Sequence, residues 1–240
     1  MQSDLVQPPL AQSPSPPDDP SGPSESAAAL HIVLIDQDNV RASLGWPSAK
    51  PFRERLLRTY ALDAQHRDTV LVIHVDERRH KHPPPSGGVR AYVLGSRAAT
   101  SFAGAHFRAD DLIARDCEWW GARPDVASVL IVSSDKLVRR RCNEVKSRIA
   151  GLRLRFETGE AFALLLPADR GGTAAEHPPH QASAESAGAA RGTAACTTAV
   201  EQYVAWVERE KPGPLKLASD VALAGEKSRQ GTKRKLGVRR

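Results

Sequence analysis

His31-Ile32-Val33-Leu34-Ile35 runs straight into Asp36-Gln37-Asp38-Asn39-Val40-Arg41. An apolar, β-branched run of this length suits a strand covered on both faces, as in a parallel sheet. It stops at two carboxylates, an amide and a base, and ligand sites of parallel sheets lie at the carboxyl ends of their strands. A buried carboxylate costs several kcal/mol unless a partner or a metal offsets it. A strand that delivers Asp36 and Asp38 to its own end therefore points to a cation site. For Asp38 the other reading is a helix cap on the turn that follows.

Two more runs repeat the pattern. Thr69-Val70-Leu71-Val72-Ile73-His74-Val75-Asp76 and Ser128-Val129-Leu130-Ile131-Val132-Ser133-Ser134-Asp135 are apolar stretches ending in an acid. Between the first two strands, Phe52, Leu56, Tyr60 and Ala64 recur every four residues, which predicts a helix over 51–65. Strand, helix, strand is the parallel crossover unit. Val89–Gly95 alternates and stops at glycine, as a strand nearer an edge would. Residues 96–107 read as a small-residue loop.

A helix is then expected over 108–120, with Ala109, Leu112, Ile113, Cys117 and Trp120 on its apolar face. Asp110 and Asp111 fall in its first turn, where the helix dipole favours negative charge; Asp111 and Arg115 have the spacing of an i,i+4 ion pair. After Asp135 a further helix carries Val138, Cys142, Val145 and Ile149 on one face. Lys136, Arg139, Arg140 and Arg141 crowd its opening turns, against the dipole. Phosphate binding or pairing with the nearby acids would each account for them. Leu152–Phe156 reads as a last strand, and Gly159–Leu166 as a short helix or strand.

The flanks differ in composition. Residues 1–28 are rich in Pro, Ser and Asp and read as disordered, and residues 168–197 read as a low-complexity linker. A short amphipathic helix is expected over 198–211, with Val200, Tyr203, Val204 and Val207 on one face, followed by a basic disordered tail over 212–240. The segment 225–240 holds seven Lys or Arg against Glu226, which equals the net charge of the whole 240-residue chain, +6. Such a run is usually a nonspecific nucleic-acid arm or a localisation signal. The Pro- and Gly-containing segment 77–88, with His80 and His82, reads as a basic loop. Cys117, Cys142 and Cys196 form no close pair and read as small core residues, neither a disulfide framework nor zinc ligands. No apolar run is long enough for a membrane span. The start Met-Gln-Ser-Asp-Leu lacks a signal core, so an intracellular, cytoplasmic protein is expected, with organellar and nuclear addresses left open.

Asp36-x-x-Asn39, Ala109-Asp110-Asp111-Leu112-Ile113 and Val132-Ser133-Ser134-Asp135, in this order over about residues 30–166, resemble the NYN domains. These are PIN-like nucleases, and the likeness includes a bacterial branch of ribosome-associated mRNA endonucleases. The resemblance implies an α/β, three-layer domain over 29–167 with a central, mostly parallel sheet. It further implies a carboxylate-bound Mg²⁺ or Mn²⁺ centre that hydrolyses RNA phosphodiester bonds. By position it makes Asp36 a metal ligand and Asn39 an orienting group, with Asp110 or Asp111 the acid of the middle helix and Asp135 that of the Ser-Asp motif. The expected metal set is Asp36, Asp38, Asp111 and Asp135, with Arg41, Lys136, Arg139 and Arg140 holding RNA, and Asp76, Ser133 and Ser134 in supporting places. Gln37 and Asp38 depart from the small residue that often follows the family's first Asp.

Hard oxygen ligands suit Mg²⁺ or Mn²⁺, and such ions activate water and neutralise a leaving oxygen. Two other readings compete. Asp36-Gln37-Asp38 also fits the Asp-x-Asp opening of haloacid-dehalogenase-like phosphatases, but Asp110-Asp111 precedes Ser133 and Lys136, the reverse of their order. A noncatalytic RNA-binding domain would keep the same fold and tail.

Overall fold

The computed structural model describes residues 29–61, 66–76, 88–166, 186–211 and 213–217. The expected disorder of residues 1–28, the basic loop after Asp76, most of the linker and the basic tail lie outside them.

Strand β1 (Leu30–Asp36) is the centre of the chain's single described sheet, whose order is β3-β4-β2-β1-β5-β6. β2 (Thr69–Val75), β4 (Ala98–Phe102), β5 (Val126–Val132) and β6 (Leu154–Glu157) are parallel to it in sense, whereas β3 (Arg90–Gly95) is an antiparallel edge hairpinned onto β4. β1 pairs Asp36 with His74 on one side and Ile35 with Val132 on the other. The apolar runs that predicted buried strands are β1, β2 and β5, and every residue of β2 is buried.

Alternation along β1 separates two cores. Leu30, Ile32 and Leu34 pack with Val70 and Val72 against α3 (Ala109–Gly121), α4 (Lys136–Arg148) and α6 (Ser186–Glu210). Val33 and Ile35 pack with Leu71, Ile73 and Val75 against α1 (Gln37–Ser43), α2 (Ala49–Ala61) and α5 (Gly159–Leu165). Each hydrophobic side chain so removed from water contributes about 1.5–3 kcal/mol. The result is an α/β fold with a mostly parallel sheet covered on both faces. Cys117, Cys142 and Cys196 are free and buried, as small core residues.

Three expectations need correction. Residues 98–102, read as part of a loop, form β4; Ala98-Ala99-Thr100-Ser101 is buried by the sheet around it, without large apolar side chains of its own. The C-terminal helix starts at Ser186, inside the segment read as linker, because the Ala-rich composition that resembles low complexity also has high helix propensity. The segment after β1 turns into α1 at once, and Asp36 itself, in place of Asp38, is the cap.

After β1 the chain fills one half of the sheet with β2, β3 and β4, then returns to the other side of β1 for β5 and β6. The carboxyl ends of β1 and β5 thus flank the point where strand order reverses, the place where open α/β sheets form a crevice.

Candidate active site

A cavity of about 420 Å³ opens at that point. Asp36, Asp38 and Asn39 reach it from the β1–α1 junction, Asp76 from the end of β2, Arg108, Ala109 and Asp110 from the start of α3, and Asp135 from the β5–α4 junction. Ala42 and Trp46 complete its described wall. Five carboxylates therefore face one lining guanidinium, an excess of negative charge that a cation would relieve.

Asp36 is 8% exposed. Its Oδ1 accepts the Asn39 backbone N–H at 3.2 Å, and its Oδ2 accepts the Ser133 hydroxyl at 3.4 Å. Burial pushes its carboxyl up to about 6; the Asn39 N–H and His74 oppose the rise, while the charges of Asp110 and Asp38 add to it. Asp110 is also raised, by burial first and then by Asp111 and Asp135. Burial leads in both, and repulsion from neighbouring acids adds to it.

A hydrogen-bonded scaffold fixes the junctions. Asn39 Oδ1 accepts the Ser134 N–H at 2.7 Å, tying α1 to the turn after β5. Ser133 Oγ accepts the Asp135 N–H at 3.1 Å, and Asp135 Oδ1 caps α4 by accepting the Leu137 N–H at 2.6 Å. Ser134 Oγ donates to Glu160 at 2.8 Å and accepts the Gly159 N–H at 3.0 Å, which joins α5 to the same turn. Gly159 lies so close to α1 that a Cβ there would sit 2.9 Å from Ser43 Oγ and 3.0 Å from Asn39 Oδ1.

Of the paired acids, Asp110 lines the cavity and Asp111 does not. Asp111 Oδ2 accepts the Arg108 N–H at 2.8 Å, closing the start of α3, and Oδ1 pairs with Arg141 at 2.9 Å. Its ion pair is thus with Arg141 and not with Arg115, whose side chain turns inward to Asp116. Asp38 lines the cavity and also pairs with Arg41 at 2.9 Å. Arg41 donates to the Pro47 carbonyl at 2.8 Å, outside the lining. Lys136, Arg139 and Arg140 are exposed on α4, with the Arg139 guanidinium 5.2 Å from the Phe156 ring centroid.

Reading the sequence missed a buried polar chain behind the cavity. His74, level with Asp36 on β2, bonds through Nε2 to Asp116 Oδ2 at 2.7 Å. Asp116 also accepts the Tyr203 hydroxyl at 2.6 Å and the Arg115 Nε–H at 2.5 Å. A histidine inside the otherwise apolar run of β2 was its visible signal. Trp46 and Arg108 were also missed as lining residues, since a loop aromatic and a helix-start arginine stand out only once the fold places them.

Five acids and an amide supply hard oxygen donors suited to Mg²⁺ or Mn²⁺. Among the described residues, however, no group of three or more His, Cys, Asp or Glu side chains is drawn together as a metal-holding cluster. Among them, too, no helix is long and apolar enough to cross a membrane. Comparison with protein-family models, curated proteins and solved structures found no match.

Proposed function

We propose that this chain is a metal-dependent endoribonuclease of the PIN-like, NYN type. The observation that carries the reading is the convergence of Asp36, Asp110 and Asp135 on one cavity at the sheet's switch point, with burial and mutual repulsion raising the Asp36 and Asp110 carboxyls. An acid kept at a cost in stability needs a use, and binding a divalent cation is one.

Asp36, Asp110 and Asp135 would hold Mg²⁺ or Mn²⁺, with Asp38 and Asp76 beside them. When bound, the ion supplies an activated water and neutralises charge at the leaving oxygen. The protein's own part is placement. Asn39 and Ser133 lock Asp36 and Asp135 relative to each other, and Arg108 offers the cavity a cation for a phosphate oxygen. Asp111 acts through structure, holding the start of α3 so that Asp110 faces inward. The exposed Lys136, Arg139 and Arg140 suit the RNA backbone.

The test is cleavage of a mixed-sequence single-stranded RNA with Mn²⁺, Mg²⁺ or EDTA. Cutting is expected only with metal and is lost in Asp36→Asn and Asp135→Asn, while Asp111→Asn keeps part of it. No cutting with either metal by protein that still binds RNA would move the assignment to a noncatalytic RNA-binding domain. Hydrolysis of a small phosphate monoester with RNA left intact would favour the phosphatase reading.

A further inference from the structure

Trp46 sits in an improbable place for a large aromatic. It is 49% exposed on the wall of the acid cavity, and its backbone φ is +62°, directly after Gly45 at +75°. A left-handed conformation is unfavourable for a residue with a Cβ. Strain of this kind persists where surrounding contacts over-determine it. Here the Trp46 N–H donates to the Arg41 carbonyl at 2.7 Å, and the Arg41 side chain returns to hold the Pro47 carbonyl. The loop thus presents an indole rigidly at the cavity's rim when relaxing the backbone would be the easier course.

A cation adjoins the ring. The Arg41 guanidinium lies 5.5 Å from its centroid. The same guanidinium pairs with Asp38 at 2.9 Å, so ring and cation are held together.

We infer that Trp46, with the Arg41 guanidinium against its ring, forms a single-nucleotide ledge beside the cavity, where an unpaired base of single-stranded nucleic acid stacks on the indole. The inference rests on the nuclease reading for the use of the ledge and adds to it the residue, Trp46, that seats one base. Stacking requires a splayed-out base, so the ledge selects single strands over duplexes and tolerates any base, since every base has a π-face. Trp46 lines the same cavity as Asp36 and Asp110, so a base seated there brings the adjoining backbone to those acids.

The experiment measures binding by full-length protein in EDTA, where cutting is suppressed. Its probe is a single-stranded oligonucleotide of about 12 residues, within the usual range of such sites. An abasic site is walked along the strand. Removing the base at one position is expected to weaken wild-type binding about ten-fold, within the range of one lost stack. Trp46→Ala loses the same factor with the intact strand and nothing further with the abasic one, while Trp46→Phe retains most of the affinity. A duplex of the same sequence is indifferent to Trp46→Ala.

Abasic and Trp46→Ala losses that simply multiply would overturn the ledge, as would unchanged binding by Trp46→Ala. Cleavage is scored separately. Asp36-dependent cutting without the Trp46 coupling leaves the nuclease standing and removes the ledge; the coupling without cutting under either metal does the reverse.

Discussion

Asp36 holds two roles that pull against each other. As the cap of α1 it stabilises; as a carboxylate buried among acids it destabilises. Its folded value near 6 against an ordinary 3.8 means that the folded protein holds this proton more tightly than the unfolded chain. Stability from this group is therefore greatest below about pH 4, falls as pH rises through the window from 4 to 6, and above it becomes a cost of about 3 kcal/mol. Asparagine caps a helix as well as aspartate does and carries no charge. In metal-free buffer, Asp36→Asn should thus raise the melting temperature at pH 8 by several degrees and change it little at pH 4.5. Mn²⁺ should stabilise the wild type at pH 8 and not the variant. Melts showing equal shifts at both pH values would contradict the origin of the raised value. Asp36 could be picked out of the sequence because an acid ending an apolar run is conspicuous. Choosing between Asp110 and Asp111 could not be done there, since neighbours on a helix diverge by about 100° and only the docking of α3 decides which one faces inward.

Element by element, legibility followed side-chain size. β1, β2 and β5 announce themselves through β-branched runs; β4 does not, because its burial comes from its neighbours. α6 is the instructive case. Its apolar positions Val200, Tyr203 and Val207 were readable, but its fastening was not: the Tyr203 hydroxyl reaches Asp116 across 87 residues of sequence. Burial would raise the Asp116 carboxyl, yet Arg115, His74 and Tyr203 together hold it below its ordinary 3.8. Its contribution is complete above that value and drains away as pH falls below it, the opposite side of pH 4 from the Asp36 window. Tyr203→Phe removes one donor from a buried charge and should cost about 1–3 kcal/mol in denaturant unfolding. Asp116→Asn, which removes the buried carboxylate that Arg115 pairs with, should cost about 3–5 kcal/mol. A neutral Tyr203→Phe would mean that α6 is held by apolar packing alone.

At the scale of the whole molecule, charge and fold are divided. The segment 225–240 carries a charge equal to the chain's net +6, and the remainder balances. If the tail is an electrostatic arm, deleting residues 225–240 should flatten the salt dependence of RNA binding by several phosphate contacts at about 0.7 each, and leave the site of cutting unchanged. A deletion that moves the cut would assign the tail a part in selecting the substrate. The sheet's architecture reaches further, into how the protein is made. β1 is the centre of the fold, yet His31 bonds to Ser128 at a separation of 97 residues. At about 5–20 residues per second, a ribosome exposes β1 some 5–20 s before β5 leaves the tunnel. During that interval the central strand of the sheet has one flank without its native neighbour. The nascent chain is then a client for chaperones, and a pause in translation before Val126 would favour aggregation more than one after Glu157.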